Sequence, residues 1–256
     1  MFGMAGETQF DVRFNLFGIP VRIHPAFWIS SAMMRWDPER LDLVMLGVLC
    51  VFVSILIHEL GHAVVLRYYG WPSEIVLYFM GGYATATPLS TWRQIWSLAA
   101  GPLAGMTFSA IIYVLLILNI QYQPQLLEKF PVLQYAYITL LFSGLIWNLI
   151  NLIPALPLDG GQIMASLIGH FGVRGRNATE LILKISIGSA GAVALWCAYC
   201  SNTFSPVVPI GIYSFLPPLH FKILASLQPD PKYMMILFGV LCAQSVISYN
   251  QFNSWR

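Results

Sequence analysis

Leu41–Leu66, LDLVMLGVLCVFVSILIHELGHAVVL, is the stretch whose reading decides the fold. From Leu43 to Ile57 it is apolar apart from a Gly and a Ser, long enough to enter the ~30 Å hydrocarbon core of a bilayer as a helix. Still inside the apolar run comes His58-Glu59-Leu60-Gly61-His62. Ionisable groups at that depth are costly and have a task or a partner. Residues four apart share one face of a helix, so both imidazoles point the same way at zinc-ligand spacing. Glu59, one residue on, can stand beside a metal without binding it and take a proton from its water. The plainer alternative is a helix whose histidines only hydrogen-bond to neighbouring helices. Three titratable groups in five residues of an apolar run weigh against it.

Composition bounds the rest. Hydrophobic residues make up 57% and charged residues 9%, against about 25% charged in a soluble domain. The expectation is an all-α polytopic membrane protein of about six transmembrane helices. A net charge of +2 without a basic run carries no nucleic-acid signature. Cys50, Cys197, Cys200 and Cys242 all sit in apolar segments and read as small buried hydrophobes. Cys197-x-x-Cys200 lacks the second pair that a metal site of that type needs.

Along the chain, Gln9–His24 alternates apolar with polar around Gly18-Ile19-Pro20 and predicts a surface hairpin. Ala26–Met34 is too short for a comfortable span and either crosses tilted or lies half-in. Glu74–Pro88, EIVLYFMGGYATATP, has β-formers around Gly81-Gly82 and predicts an interfacial or re-entrant hairpin. Its edge could pair with an extended peptide by strand addition; the alternative is an ordinary interfacial loop. Spans are expected at Ile95–Ile120, Val132–Ile153, Leu181–Cys200 and Tyr233–Tyr249. Pro206–Leu227 is apolar but kinked or broken by four prolines. The first of these spans carries Gly101-Pro102-Leu103-Ala104-Gly105, small residues that let helices approach closely.

Parity offers a third ligand. His58 lies near the exit face of its helix, and two spans intervene before the chain next leaves by that face, at Asp159. An acidic side chain freed by Pro154 and Pro157 and flanked by Gly160-Gly161 can turn toward a metal. Two His and one carboxylate with an open position is the pattern of a catalytic zinc site. The alternative is that Asp159 caps the helix Gln162–Ile168.

With these motifs in place, the chain resembles the site-2 proteases, a family of intramembrane zinc metalloproteases. The resemblance rests on His58–His62 as HExxH, on Gly101–Gly105, and on Asn151-Leu-Ile-Pro154-Ala-Leu-Pro157-Leu-Asp159-Gly160-Gly161 as N-x-x-P-x-x-P-L-D-G-G. It covers about Val44 to Ile168, within one membrane metalloprotease domain over 1–256 whose core is about 41–168. It implies His58, His62 and Asp159 as ligands of one zinc, Glu59 as general base, and Asn151 as a polar group positioning substrate or oxyanion. Gly81, Gly82, Tyr83 and Asn148 are expected to meet the substrate, a single-span membrane protein cleaved within or near the bilayer. Relatives often add a PDZ or CBS domain, for which this chain has no room, so a regulatory partner acting in trans is expected. A membrane zinc-binding or transport protein could use the same ligands, but would not need Glu59. Arg67, Arg93, Arg174, Arg176 and Lys184 flank the exit face of the site, against Arg35, Arg40 and Lys129 opposite. The positive-inside rule then sets the zinc site near the cytoplasmic face of a multi-pass membrane protein.

Overall fold

Backbone in lipid must close its own hydrogen bonds, which favours helices. In the computed structural model, five helices among the described residues are long and apolar enough to span a bilayer: Leu41–Tyr68, Thr91–Tyr122, Pro131–Asn151, Gly175–Thr203 and Pro231–Ser254. The described residues are 6–34, 36–78, 81–84, 90–213 and 216–254. The chain divides into two compact units, Met1–Asn148 and Leu149–Arg256, with the boundary inside the third of these spans.

The first unit opens with strands β1 (Val12–Leu16) and β2 (Ile19–Ile23). They are joined by Phe17 and Gly18, both with positive φ, the geometry of a two-residue hairpin turn. Helix α1 (Pro25–Met34) follows, and its N-terminus is closed by His24, whose Nδ1 accepts the Ala26 N–H at 3.1 Å. Then come α2 (Leu41–Tyr68), β3 (Ile75–Tyr78) and β4 (Gly81–Ala84). The strands form one sheet in the order β1-β2-β3-β4. Both hairpins run antiparallel, and β2 pairs with β3 in parallel, Val21 opposite Ile75 and Ile23 opposite Leu77. Ile19, Val21, Ile23, Ile75 and Leu77 of this sheet form one buried cluster with Phe27 of α1 and Val51, Ile55 and Ala63 of α2. The Arg67 guanidinium at the end of α2 donates to the Phe17 and Gly18 carbonyls, tying the hairpin turn to that helix.

Helix α3 (Thr91–Tyr122) packs along α2. Helices in lipid gain little from hiding apolar surface, so close contact depends on small residues. Gly61 meets this need: a Cβ there would lie 2.4 Å from the Ala100 carbonyl oxygen. A short helix α4 (Pro124–Lys129) leads to α5 (Pro131–Leu141), a wide π turn (Phe142–Ile146) and α6 (Trp147–Asn151).

In the second unit the chain turns through Pro154 and Pro157 into α7 (Asp159–His170). The Leu156–Pro157 bond is cis. The Leu156 N–H donates to Ser186 Oγ at 3.1 Å, and Ser189 Oγ donates to the Pro154 carbonyl at 2.7 Å, so α8 (Gly175–Thr203) holds this turn. The apolar stretch Pro206–Leu227 is broken, as its four prolines suggested. Its prolines break it into a 3₁₀ turn (Ile210–Tyr213) and the eight-residue α9 (Pro218–Ala225), because each proline lacks an N–H and clashes with the preceding turn. Helix α10 (Pro231–Ser254) packs along α8, burying Ala190 and Phe238. Cys197 and Cys200 are buried free thiols here, as composition suggested.

Candidate metal centre

His58, Glu59 and His62 are all buried on α2. The spacing of four puts the two imidazoles together, their Nε2 atoms 3.0 Å apart. What each ring does at its other nitrogen fixes what it can do here. His62 Nδ1 lies 2.7 Å from the backbone oxygen of Ser97 on α3. A carbonyl only accepts, so this Nδ1 carries the proton. His58 Nδ1 lies 2.6 Å from Oδ1 of Asn148. The Asn148 Nδ2 donates to the Gly144 carbonyl at 2.9 Å and to the Ser143 carbonyl at 3.4 Å. Those two acceptors fix which end of the amide is nitrogen, and hence which end faces His58.

Both rings therefore hold their protons on Nδ1 and turn Nε2 lone pairs toward each other. Two lone pairs at 3.0 Å repel unless a cation lies between them. Zinc–nitrogen bonds of about 2.0–2.1 Å can bridge that separation, so the donor set fits zinc. Outward hydrogen bonds of this kind are what orient metal-binding histidines generally.

Two glycines of α3 make the room. A Cβ at Gly101 would stand 2.2 Å from His62 Nε2, and one at Gly105 would stand 2.2 Å from Asn148 Nδ2. The sequence pattern singled out Gly101–Gly105 as a close-packing element. It did not reveal that the spaces hold an imidazole and an amide. Ser97 was missed altogether, since its contribution is a backbone oxygen and has no residue-type signal. Asn148, expected to meet substrate, is instead fully buried with its amide engaged by His58, Ser143 and Gly144.

In the second unit, Asp159 is the first residue of α7 and is buried. It is not a cap; Leu158 occupies that position. Gly160 and Gly161 seat α7 against the preceding turn, where Cβ atoms would lie 2.1 Å from the Leu152 oxygen and 2.5 Å from the Ala155 carbonyl carbon. Asn151 ends α6 and is half-buried. Gly81, Gly82 and Tyr83 lie in β4, the outermost strand of the sheet beyond β3. Residues 79–80 and 85–89 of the expected hairpin fall outside the described residues.

A multi-span membrane protein with a paired-histidine helix of metalloprotease type is the class defined by these features. A model of peptidase family M50 matches residues 46–135. A zinc metalloprotease of Methanocaldococcus jannaschii is 31% identical over 158 residues, 60% of this chain and 44% of that protein. The stage IV sporulation protein FB of Bacillus subtilis is 24% identical over 204 residues, 77% of this chain and 62% of that one. The chain spans about half the length of the curated relatives it matches. Among solved structures, the site-2 protease from Methanocaldococcus jannaschii shares the fold with a TM-score of 0.51, covering 91% of this chain and 95% of its own at 20% identity. Over residues 46–135 the chain is similar to peptidase family M50, and its fold is that of a solved site-2 protease.

Proposed function

We propose that this protein is an intramembrane zinc endopeptidase that cuts single-span membrane proteins within or near the bilayer. The observation that carries the proposal is the His58–His62 pair, tautomer-fixed and buried on an apolar span with Glu59 beside it. Asp159 serves as the third ligand; its burial at the start of α7 and its place in the N-x-x-P-x-x-P-L-D-G-G motif support this role. Zinc, when bound, polarises the scissile carbonyl and acidifies water. Glu59 takes the proton of the attacking water and returns it to the leaving amine. Asn151 orients the substrate carbonyl. A helical substrate satisfies its own hydrogen bonds and must be unwound before its amide can react, and the edge of β4 holds it as an added strand. The basic residues Arg67, Arg93, Arg174, Arg176 and Lys184 favour a cytoplasmic setting for the site.

Glu59→Gln is the decisive variant. It keeps size and hydrogen bonding and removes the proton acceptor. Zinc content should stay near one per chain, while cleavage of a single-span test substrate falls by about 10²–10⁴. Metal flux that persists in this variant, with no peptide cleavage by the wild type, would identify a zinc transporter instead.

A further inference from the structure

Between α5 and α6 the helix abandons regular geometry. The Trp147 N–H bonds to the Phe142 carbonyl, five residues back, instead of to Ser143 four back. Such π turns recur where a helix must present a side chain in an unusual direction. Here the Ser143 carbonyl, passed over by the Trp147 N–H, accepts from the Asn148 side chain together with the Gly144 carbonyl. Both amide hydrogens of Asn148 are thereby turned back into its own helix. Its Oδ1 is left pointing at His58 Nδ1, at 2.6 Å. On the opposite side the absent side chain of Gly105 leaves space for the amide. Asn148 is fully buried, so neither water nor an approaching peptide competes for it.

We infer that Asn148 is a positioning residue of the metal centre. With the π turn Phe142–Ile146 it fixes the tautomer and ring plane of His58, so that Nε2 is offered as a metal donor. This rests on the reading of His58 and His62 as zinc ligands, and it replaces the expectation that Asn148 touches substrate. Removing the acceptor leaves the His58 ring able to rotate or to move its proton to Nε2, where it would block the metal.

The test uses the full chain in detergent, with zinc as probe in competition against a chelator, cobalt(II) absorption as a report on ligand geometry, and melting of the metal-free protein. Asn148→Leu should weaken zinc binding about 10–100-fold, the usual effect of deleting such a partner, and shift the cobalt spectrum. Asn148→Asp restores an acceptor for His58 but cannot donate to Ser143 and Gly144. It should melt earlier in the metal-free form, as Asn148→Leu does, yet hold zinc close to the wild-type value. That divergence separates positioning from simple packing. Gly105→Ala crowds the amide from the α3 side without altering the network's own groups, and should also weaken zinc. The inference is overturned if Asn148→Leu or Gly105→Ala binds zinc as the wild type does, or if Asn148→Asp binds as weakly as Asn148→Leu. A wild-type protein that takes no zinc would instead overturn the proposed function, and this inference with it.

Discussion

Gly101 and His62 approach so closely that a methyl group on the glycine would stand 2.2 Å from the ring nitrogen facing His58. The ring cannot step aside without losing the Ser97 carbonyl, which holds its other nitrogen. Gly101→Ala should therefore damage the metal centre while leaving the helix itself intact, since alanine is a better helix former than glycine. Chelator competition should show zinc affinity reduced about 10–100-fold, with helical content by circular dichroism unchanged. Wild-type affinity in this variant would mean that α2 and α3 separate more easily than their packing implies.

Asp159 and Gly160 call for a paired test. As the proposed third ligand, Asp159→Ala should lose most zinc, whereas Cys197→Ala should lose none. Gly160→Ala leaves every ligand in the sequence but puts a Cβ 2.1 Å from the Leu152 carbonyl, displacing the start of α7. It should lower zinc content as well, measured by elemental analysis after gel filtration. Full zinc in Asp159→Ala would remove Asp159 from the ligand set.

Strand β4 is paired on one side only among the described residues, with β3 through Val76 opposite Tyr83. A proline there withdraws a backbone donor and disturbs the ladder. Tyr83→Pro should keep zinc near the wild-type level and sharply reduce cleavage of a transmembrane substrate. A short unfolded peptide should suffer less, because its backbone arrives extended. Side-by-side rates on the two substrates decide the matter, and wild-type rates on both would show the strand to be structural only.

A pH effect is expected at the amino-terminal hairpin. The Thr8 hydroxyl hydrogen-bonds the Asp11 carboxylate and, aided by the Arg22 guanidinium, holds its pKa down to about 2. A carboxyl group whose folded pKa is depressed stabilises the fold above its unfolded value of about 3.9, and that contribution disappears as pH falls toward 2. Hydrogen exchange in β1 should therefore accelerate between pH 4 and pH 2, beyond its intrinsic pH dependence. In Asp11→Asn that extra dependence should vanish, with exchange already fast at pH 5. An unchanged profile in the variant would show that Arg22 and the strand pairing suffice without the carboxylate.

Much of this was legible in the residues, for definite reasons. The metal helix was readable because its period brings His58 and His62 onto one face, and the spans because apolar runs of that length have few other uses. Both hairpins announced themselves through local alternation and glycine. Non-local pairing did not: β2 and β3 are some fifty residues apart, and nothing in either strand names the other. The π turn was invisible as well, since Phe142-Ser-Gly-Leu-Ile146 reads like any other stretch of apolar helix. With it went the role of Asn148, whose direction depends on that turn. The break over Pro206–Leu227, by contrast, was legible, because its four prolines cannot sit inside a regular helix.

The parallel pairing of β2 with β3 bears on how the chain runs beside α2. The sheet packs against Val51, Ile55 and Ala63, about 18 Å of the length of α2. The chain leaves β2 where the His24 N–H meets the Leu77 carbonyl at the end of β3. Phe27, just beyond, packs against Phe52 of α2 with ring centres 6.2 Å apart. From that level α2 has about 16 Å left to its start at Leu41, and α1 about 10 Å to its end at Met34. A strand and a short helix thus lie in series against α2. The strand is backbone that lipid could not tolerate bare, and α2 packs against its sheet; the helix is the stub that looked too short to cross alone.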